Sequence, residues 1–305
     1  MDTKVIGWGS AFVGLGGKMK ISFWSHMRGV AGVTTNLACV SALMSIGGMG
    51  KTAVLENHYS INSIGDMFLF PEKIEYLREH GEYYSRYGIE YILKRLYSGE
   101  PGEKLLHHAS IPLLFSSMYY LPQGRIVNKE VFNYEFHLAQ KKLFQSLERI
   151  SDYIFIDTET NQNLSSKIIL SESDLIVVNL NQDPVQIQKF FRQYTSIQEK
   201  AVYLIGGYQP ELPWNIGRIC KEFQIPREKT GIIPYNPELV DAASKGHLLQ
   251  FLNRNYYKAS DYENEYLIRY AKKAGRMIRK NLVRLRREEI MEEREFQGIP
   301  CTPLC

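Results

Sequence analysis

Ser25-His-Met-Arg-Gly-Val-Ala-Gly-Val-Thr-Thr-Asn36 is the stretch on which the fold turns. Before it, the short apolar run Lys20-Ile-Ser-Phe-Trp24 reads as a strand. After the small residues Gly29, Ala31 and Gly32, Thr34-Thr-Asn-Leu-Ala-Cys-Val-Ser-Ala-Leu-Met44 reads as a helix. A strand, a glycine-bearing loop and a helix opening on two threonines make an anion cradle. Backbone N–H groups at a helix N-terminus carry partial positive charge, so phosphates bind there. In such loops the hydroxyl after the last glycine reaches a magnesium ion, and Thr34 stands in that place. The residue before it is Val33, where a phosphate loop carries lysine. The order of elements is intact, and the principal charge is missing.

A closer literal match, Gly47-Gly48-Met49-Gly50-Lys51-Thr52, lies in the wrong surroundings. It follows the helix and precedes the strand-like Ala53-Val-Leu55, whereas a phosphate loop must leave a strand and open a helix. The segment reads as a glycine C-cap and a turn into the second strand.

Written out, Arg28-Gly29-Val30-Ala31-Gly32-Val33-Thr34-Thr35 resembles the deviant Walker A motif of the ParA/MinD ATPases, Lys-Gly-Gly-x-Gly-Lys-Thr-Thr. Three further segments resemble that family in the same chain order. Tyr153-Ile-Phe-Ile-Asp157-Thr158 resembles its Walker B strand, with Glu159-Thr-Asn-Gln following where the family has Thr-Pro-Pro or glycine. Ser173-Asp-Leu-Ile-Val-Val-Asn-Leu-Asn-Gln-Asp-Pro184 is similar to the strand leading to its interface helix. Ile232-Ile-Pro234-Tyr-Asn236-Pro-Glu-Leu-Val-Asp-Ala-Ala-Ser-Lys-Gly246 is similar to its adenine-contacting loop and the helix after it. The resemblance spans residues 19–252 and implies an α/β, P-loop NTPase-like fold with a mainly parallel twisted sheet flanked by helices.

It implies ATP and Mg2+ as cofactors. Arg28, Gly29, Val30, Ala31, Gly32, Val33, Thr34 and Thr35 would surround the phosphates, with Pro234 and Asn236 beside the base. Thr34, Glu56 and Asp157 would serve the magnesium ion. Arg28 takes the place of the signature lysine, which in the family reaches across an ATP-bound homodimer, and its fork suits phosphate oxygens. Glu56 and His58 stand where the family commonly reads Asp-x-Asp, the second aspartate being needed to activate water. A neutral histidine copies that carboxylate poorly. Leu204-Ile-Gly-Gly207-Tyr stands where the family often carries an adenine-reading asparagine, which leaves base recognition to backbone contacts.

The missing lysine sets an expectation. Charge-assisted contacts contribute about 1.5–3 kcal/mol each, so its loss weakens phosphate binding by roughly one to two orders of magnitude. Stabilisation of a transferring phosphoryl group suffers as well. Nucleotide binding is expected to persist more readily than turnover, with Arg28 compensating in a dimer.

No run approaches the ~20 apolar residues that span a bilayer, and no basic segment leads into an apolar run near the start. A cytoplasmic chain with reduced cysteines is expected, since no Cys/His spacing suggests zinc among its four cysteines. Cys39 and Cys220 fall on helices and Cys301 and Cys305 in the tail; the adjacent His107 and His108 read as surface residues. Strands are predicted at 21–24, 52–55, 117–121, 153–156, 175–180, 201–205 and 231–233, and helices at 88–97, 134–149, 184–200 and 215–223. Residues 1–18 read as a leader, 19–256 as the P-loop domain and 257–305 as a basic helix and tail. On that helix, Leu267, Tyr270, Ala274, Ile278, Leu282 and Leu285 recur at three- or four-residue spacing. Arg269, Lys272, Lys273, Arg276, Arg279 and Lys280 crowd the remainder. A solvated charged face, a non-specific DNA footprint and an anionic membrane surface all fit this pattern.

Among the ParA/MinD proteins, the lysine-poor loop most resembles the pilus-localisation group (TadZ/CpaE), which places pilus or secretion machinery at a cell pole. That implies a nucleotide-responsive scaffold, a homodimer with weak or no hydrolysis, polar or membrane-peripheral. A DNA-segregation ATPase and a pseudo-ATPase interaction module are the alternatives.

Overall fold

A computed structural model of the chain describes residues 18–58, 63–81, 88–123, 126, 128–160 and 163–296. The leader, except Lys18, and the tail from Gln297 onward, with Cys301 and Cys305, lie outside the described residues, as do Asn161 and Gln162 after the Walker B-like strand.

Eight strands form one sheet: β1 (Met19–Trp24), β2 (Thr52–Asn57), β3 (Ile111–Pro112), β4 (Met118–Leu121), β5 (Tyr153–Thr158), β6 (Leu175–Leu180), β7 (Ala201–Tyr208) and β8 (Thr230–Pro234). Their spatial order is β3-β4-β2-β5-β1-β6-β7-β8, parallel except for the short edge strand β3. The helices are α1 (Val33–Ile46), α2 (Ser63–Phe68), α3 (Pro71–Gly81), α4 (Ile89–Tyr97), α5 (Gly102–Ala109), α6 (Lys129–Ile150), α7 (Leu164–Glu172), α8 (Pro184–Gln193), α9 (Ile216–Glu222), α10 (Pro237–Ser244), α11 (Leu248–Tyr257) and α12 (Tyr262–Phe296). All seven predicted strands are present, and the segment 47–52 is the predicted turn into β2. The predicted helix over 184–200 divides into α8 and a 3-10 turn at Thr195–Lys200.

Central strands of a doubly covered parallel sheet are buried on both faces, and here alternate side chains feed separate cores. Tyr153 and Phe155 of β5 pack with α1 and α12, while Ile154 and Ile156 pack with α4 and α6. Leu175 and Val177 of β6 join the first core, and Ile176, Val178 and Leu180 join a third beside α8.

The basic helix shares this packing. Leu267, Ala271, Ala274, Ile278 and Leu282 of α12 are buried in the same core as β1 and α1. Gly275 permits the close approach, since a Cβ there would stand 3.0 Å from Met44 Cγ on α1. Tyr270 and Leu285 are only partly buried, at the margins of the stripe. Among the described residues no helix is long and apolar enough to cross a membrane.

The strand order reverses around β1, which carries β5 on one side and β6 on the other. In open α/β sheets ligands bind beyond the carboxyl ends of the strands at such a switch point. The loop after β1 lies there.

Candidate functional site

The loop from Ser25 to Gly32 crosses from β1 into α1. Ser25 is buried and its Oγ accepts the amide of Met27 at 3.1 Å. Gly29 and Gly32 sit at φ +75° and +63°, conformations that cost other residues strain. Helices α6, α7, α8, α9 and α10 are each capped by an Asn or Asp side chain. Helix α1 starts at Gly32 with no side-chain cap and no acidic residue in its first turn. Its opening amides are therefore left for an anion.

The cleft over this end is about 280 Å³, lined by Arg28, Gly29, Gly32, Val33, Thr34 and Thr35 of the loop and by His58, Asp157 and Glu159 of the strand ends. Of the remaining expected residues, Val30 is exposed and Ala31 is buried beneath the loop. Pro234 and Asn236 are not among the cleft's lining. Pro234 ends β8, and Asn236 caps α10 by accepting Leu239 N–H at 2.8 Å while donating to Asn264 Oδ1 at 3.0 Å.

Two asparagines and a glycine pin the loop. Asn36 Nδ2 donates to Ala31 O at 3.1 Å and to Asn179 Oδ1 at 2.9 Å. Asn179 Nδ2 donates to Val177 O at 3.0 Å and Trp24 O at 3.3 Å. All these groups are buried, so each bond meets a donor that would otherwise be orphaned. On β7, a Cβ at Gly206 would fall 2.4 Å from Asn36 Nδ2 and 2.6 Å from Ala31 O. The Gly-Gly pair thus makes room for the loop, whatever it does for a base. Gly206→Ala is expected to push the loop away and destabilise the fold by about 1–3 kcal/mol, read as a lower unfolding midpoint in urea. An unchanged midpoint would show that the loop has another stable position.

The carboxylates occupy neighbouring strands in register, Glu56 on β2 beside Asp157 on β5. The family resemblance assigns Glu56 to a magnesium water shell, but its surroundings give it other work. Oε1 accepts Ile64 N–H at 2.8 Å and the Tyr120 hydroxyl at 2.7 Å. Oε2 accepts Ser63 N–H at 2.9 Å and stands 2.8 Å from His58 Nε2. A carboxylate offers about four lone-pair directions; three accept hydrogen bonds, and the imidazole stands beside the fourth. Glu56 thereby caps the start of α2 and is fully buried.

His58 is the residue between the two strand ends: its Nε2 also lies 3.4 Å from Asp157 Oδ2. The ring N–H is not aligned as a hydrogen bond to either oxygen, so these contacts are ion pairs. Burial opposes the charged ring, but Asp157 and Glu56 outweigh it and push the His58 pKa up to about 11. Burial, then Glu56, also hold the Tyr120 phenol well above its usual value, so it remains a donor. Thr34 lines the cleft half-buried, while Asp157 is buried at its floor. Among the described residues no group of three His, Cys, Asp or Glu is arranged to hold a metal ion.

Tyr120, which holds Glu56, and the asparagine pair, which holds the loop, shape the candidate site and were missed by sequence reasoning. An asparagine inside the apolar strand Leu175-Ile-Val-Val-Asn179-Leu180 was the available signal, because a buried amide needs a partner. Nothing local marks Tyr120, whose partner is 64 residues away.

The sequence matches no protein-family model and no curated protein. Solved structures do match. A ParA family ATPase from Chlorobium tepidum aligns with TM-score 0.62 at 12% identity over 84% of this chain and 98% of that one. A putative plasmid partition protein from Borrelia burgdorferi, bound to AMPPNP, aligns with TM-score 0.56 at 15% identity over 89% and 99%. The septum site-determining protein MinD from Pyrococcus horikoshii, complexed with Mg-ADP, aligns with TM-score 0.57 at 13% identity over 84% and 96%. The chain therefore has the P-loop fold of the MinD and ParA ATPases, extended by the long helix α12.

Proposed function

We propose that this chain is a nucleotide-responsive positioning scaffold of the ParA/MinD type, binding ATP as a homodimer and hydrolysing it slowly or not at all. The observation that carries the reading is the loop after β1, which delivers an uncapped α1 N-terminus to the switch point of the sheet. Nucleotide complexes of two proteins with this fold add support. Slow turnover follows from Val33 in place of a cationic side chain and from His58 in place of a water-orienting carboxylate. Arg28, exposed beside the cleft, is the residue we assign to a partner subunit's phosphates. The lysine-poor loop is what favours pilus or secretion machinery as the cargo, at a cytoplasmic, polar site.

The test is calorimetry with ATP and ADP, with light scattering for mass. Micromolar ATP affinity (about −8 kcal/mol) accompanied by dimerisation is expected, with dimerisation lost in Arg28→Ala. No binding at millimolar nucleotide would reject the proposal.

The groove along α12 favours a second reading, a DNA-segregation protein. Arg276, Arg279, Lys280, Arg284 and Arg287 line a hollow of about 790 Å³. Lys272, in contrast, turns inward to Tyr256 O at 2.6 Å. Binding to arbitrary duplex should weaken steeply with salt. Reversing Arg276, Arg279 and Lys280 to glutamate is expected to lower it by at least about tenfold, measured by fluorescence anisotropy. Equal affinity in that variant would dismiss the DNA reading.

A further inference from the structure

We propose that the hollow between α7 and the Thr195–Lys200 turn is a binding site for a small aromatic anion, in its simplest form an arylcarboxylate. The proposal does not depend on the nucleotide reading, because the side chains that carry it stand outside the cleft over α1.

The hollow has a volume of about 390 Å³ and lies where the helix predicted over 184–200 breaks after α8. Small-molecule pockets run from about 300 to 1,000 Å³ and are mostly apolar with a few placed polar groups, so this one suits a ligand of one or two rings. Trp24 of β1 and Ile176 of β6, both almost wholly buried, form its base. Leu170 of α7 and Tyr194 ahead of the turn add further apolar wall. The Trp24 and Tyr194 rings meet edge to face with 5.1 Å between centroids. Such a surface rewards a flat aromatic body through offset and edge contacts, beyond what burial of an alkyl chain of equal area gives.

Charge selects the sign of the ligand. Lys167 of α7 and Lys200 of the turn both line the hollow, against the single carboxylate of Glu199. Among the described residues neither lysine is ion-paired. Lys200 is half-buried, and its recorded hydrogen bond is a long one, 3.4 Å to Ser173 O. An ammonium held partly out of water gains more from an anion than one in bulk solvent. The hydroxyls of Thr160 and Ser196 share the lining and can donate to carboxylate oxygens.

The experiment titrates the full chain by calorimetry with 2-naphthoate and with its neutral analogue 2-naphthamide. Naphthoate should bind saturably with Kd below about 1 mM, and at least about tenfold more tightly than the amide. The double variant Lys167→Gln with Lys200→Gln should hold the two probes within about twofold of each other. Leu170→Trp, which fills the hollow, should bind neither. If that variant fails to fold, the lysine pair remains the check. Thr160 also lines the cleft over α1, so excess inorganic triphosphate serves as a competitor and should leave naphthoate bound. Displacement by triphosphate would put naphthoate over the α1 amides and overturn the proposal. Equal affinity for the two probes, a preference retained without the lysines, or binding retained by Leu170→Trp would overturn it too. So would binding of neither probe by wild type. If Leu170→Trp then also lowers the mass measured by light scattering, the hollow receives a side chain from a second copy of the chain instead.

Discussion

Glu56→Ala is expected to destabilise the chain by about 3–5 kcal/mol, a large fraction of a domain's total stability. Four groups lose their partner at once. The Ser63 and Ile64 amides are left at the uncapped start of α2, the Tyr120 hydroxyl is stranded in the core, and His58 loses its nearer carboxylate. Each unsatisfied buried donor costs about 1–3 kcal/mol, and water reaching the vacated space recovers part of that. Glu56→Gln should be milder, because the amide oxygen still caps one backbone N–H, yet its NH2 then faces a donor. Tyr120→Phe removes only the hydroxyl bond and should cost about 1 kcal/mol. Urea denaturation of the three variants measures this ordering. A Glu56→Ala stability within about 0.5 kcal/mol of wild type would mean the carboxylate network is not formed in solution.

The same network gives stability a pH dependence of defined sign. The His58 pKa rises from 6.5 to about 11 on folding, so the native state holds the proton more tightly. Its contribution is fully present below about pH 6.5 and fades as pH climbs towards 11. Wild-type stability should decline as pH rises from about 6.5 towards 11, and Glu56→Ala should show a shallower decline because one of the two stabilising carboxylates is gone.

Much of the fold is legible because strands of a parallel sheet are short apolar runs, and those runs stand in the sequence between helical patterns. Pattern does not carry partnership. The sequence places a strand over 52–55 with Glu56 directly after it, and the structure carries β2 on to Asn57; the amides that claim the Glu56 carboxylate come from α2, and the phenol comes from β4. His58 reads as an odd replacement for a carboxylate. That its ring reaches Asp157 depends on β2 and β5 being neighbours in register, which no local sequence spacing can supply. Asn236 illustrates the converse: Asn-Pro before a helix is a capping signature, and the cap is what its side chain makes. The stripe on α12 is visible by period, but Gly275 against Met44 explains why the helix lies so close to α1.

Val33→Lys is expected to raise ATP affinity by roughly one to two orders of magnitude. Position 33 opens α1, lines the cleft and is half-buried against the core. A lysine stem can cover the same apolar surface while its ammonium reaches the cleft. Without ligand, a cation at a helix N-terminus is unfavourable by about 0.3–1 kcal/mol, so the apo variant should melt slightly below wild type. With ATP the order should reverse, because tighter binding adds stability in proportion to the logarithm of ligand over Kd. That crossover separates a phosphate contact from a general change in packing, which would shift both states alike. Phosphate release should stay slow in the variant, since the introduced ammonium restores charge on the phosphates but leaves His58 between Glu56 and Asp157. If calorimetry finds Val33→Lys no tighter than wild type, phosphates do not lie over the α1 amides and the loop after β1 has kept its shape for another ligand. If affinity rises and turnover rises with it, His58 is not what restrains the chemistry.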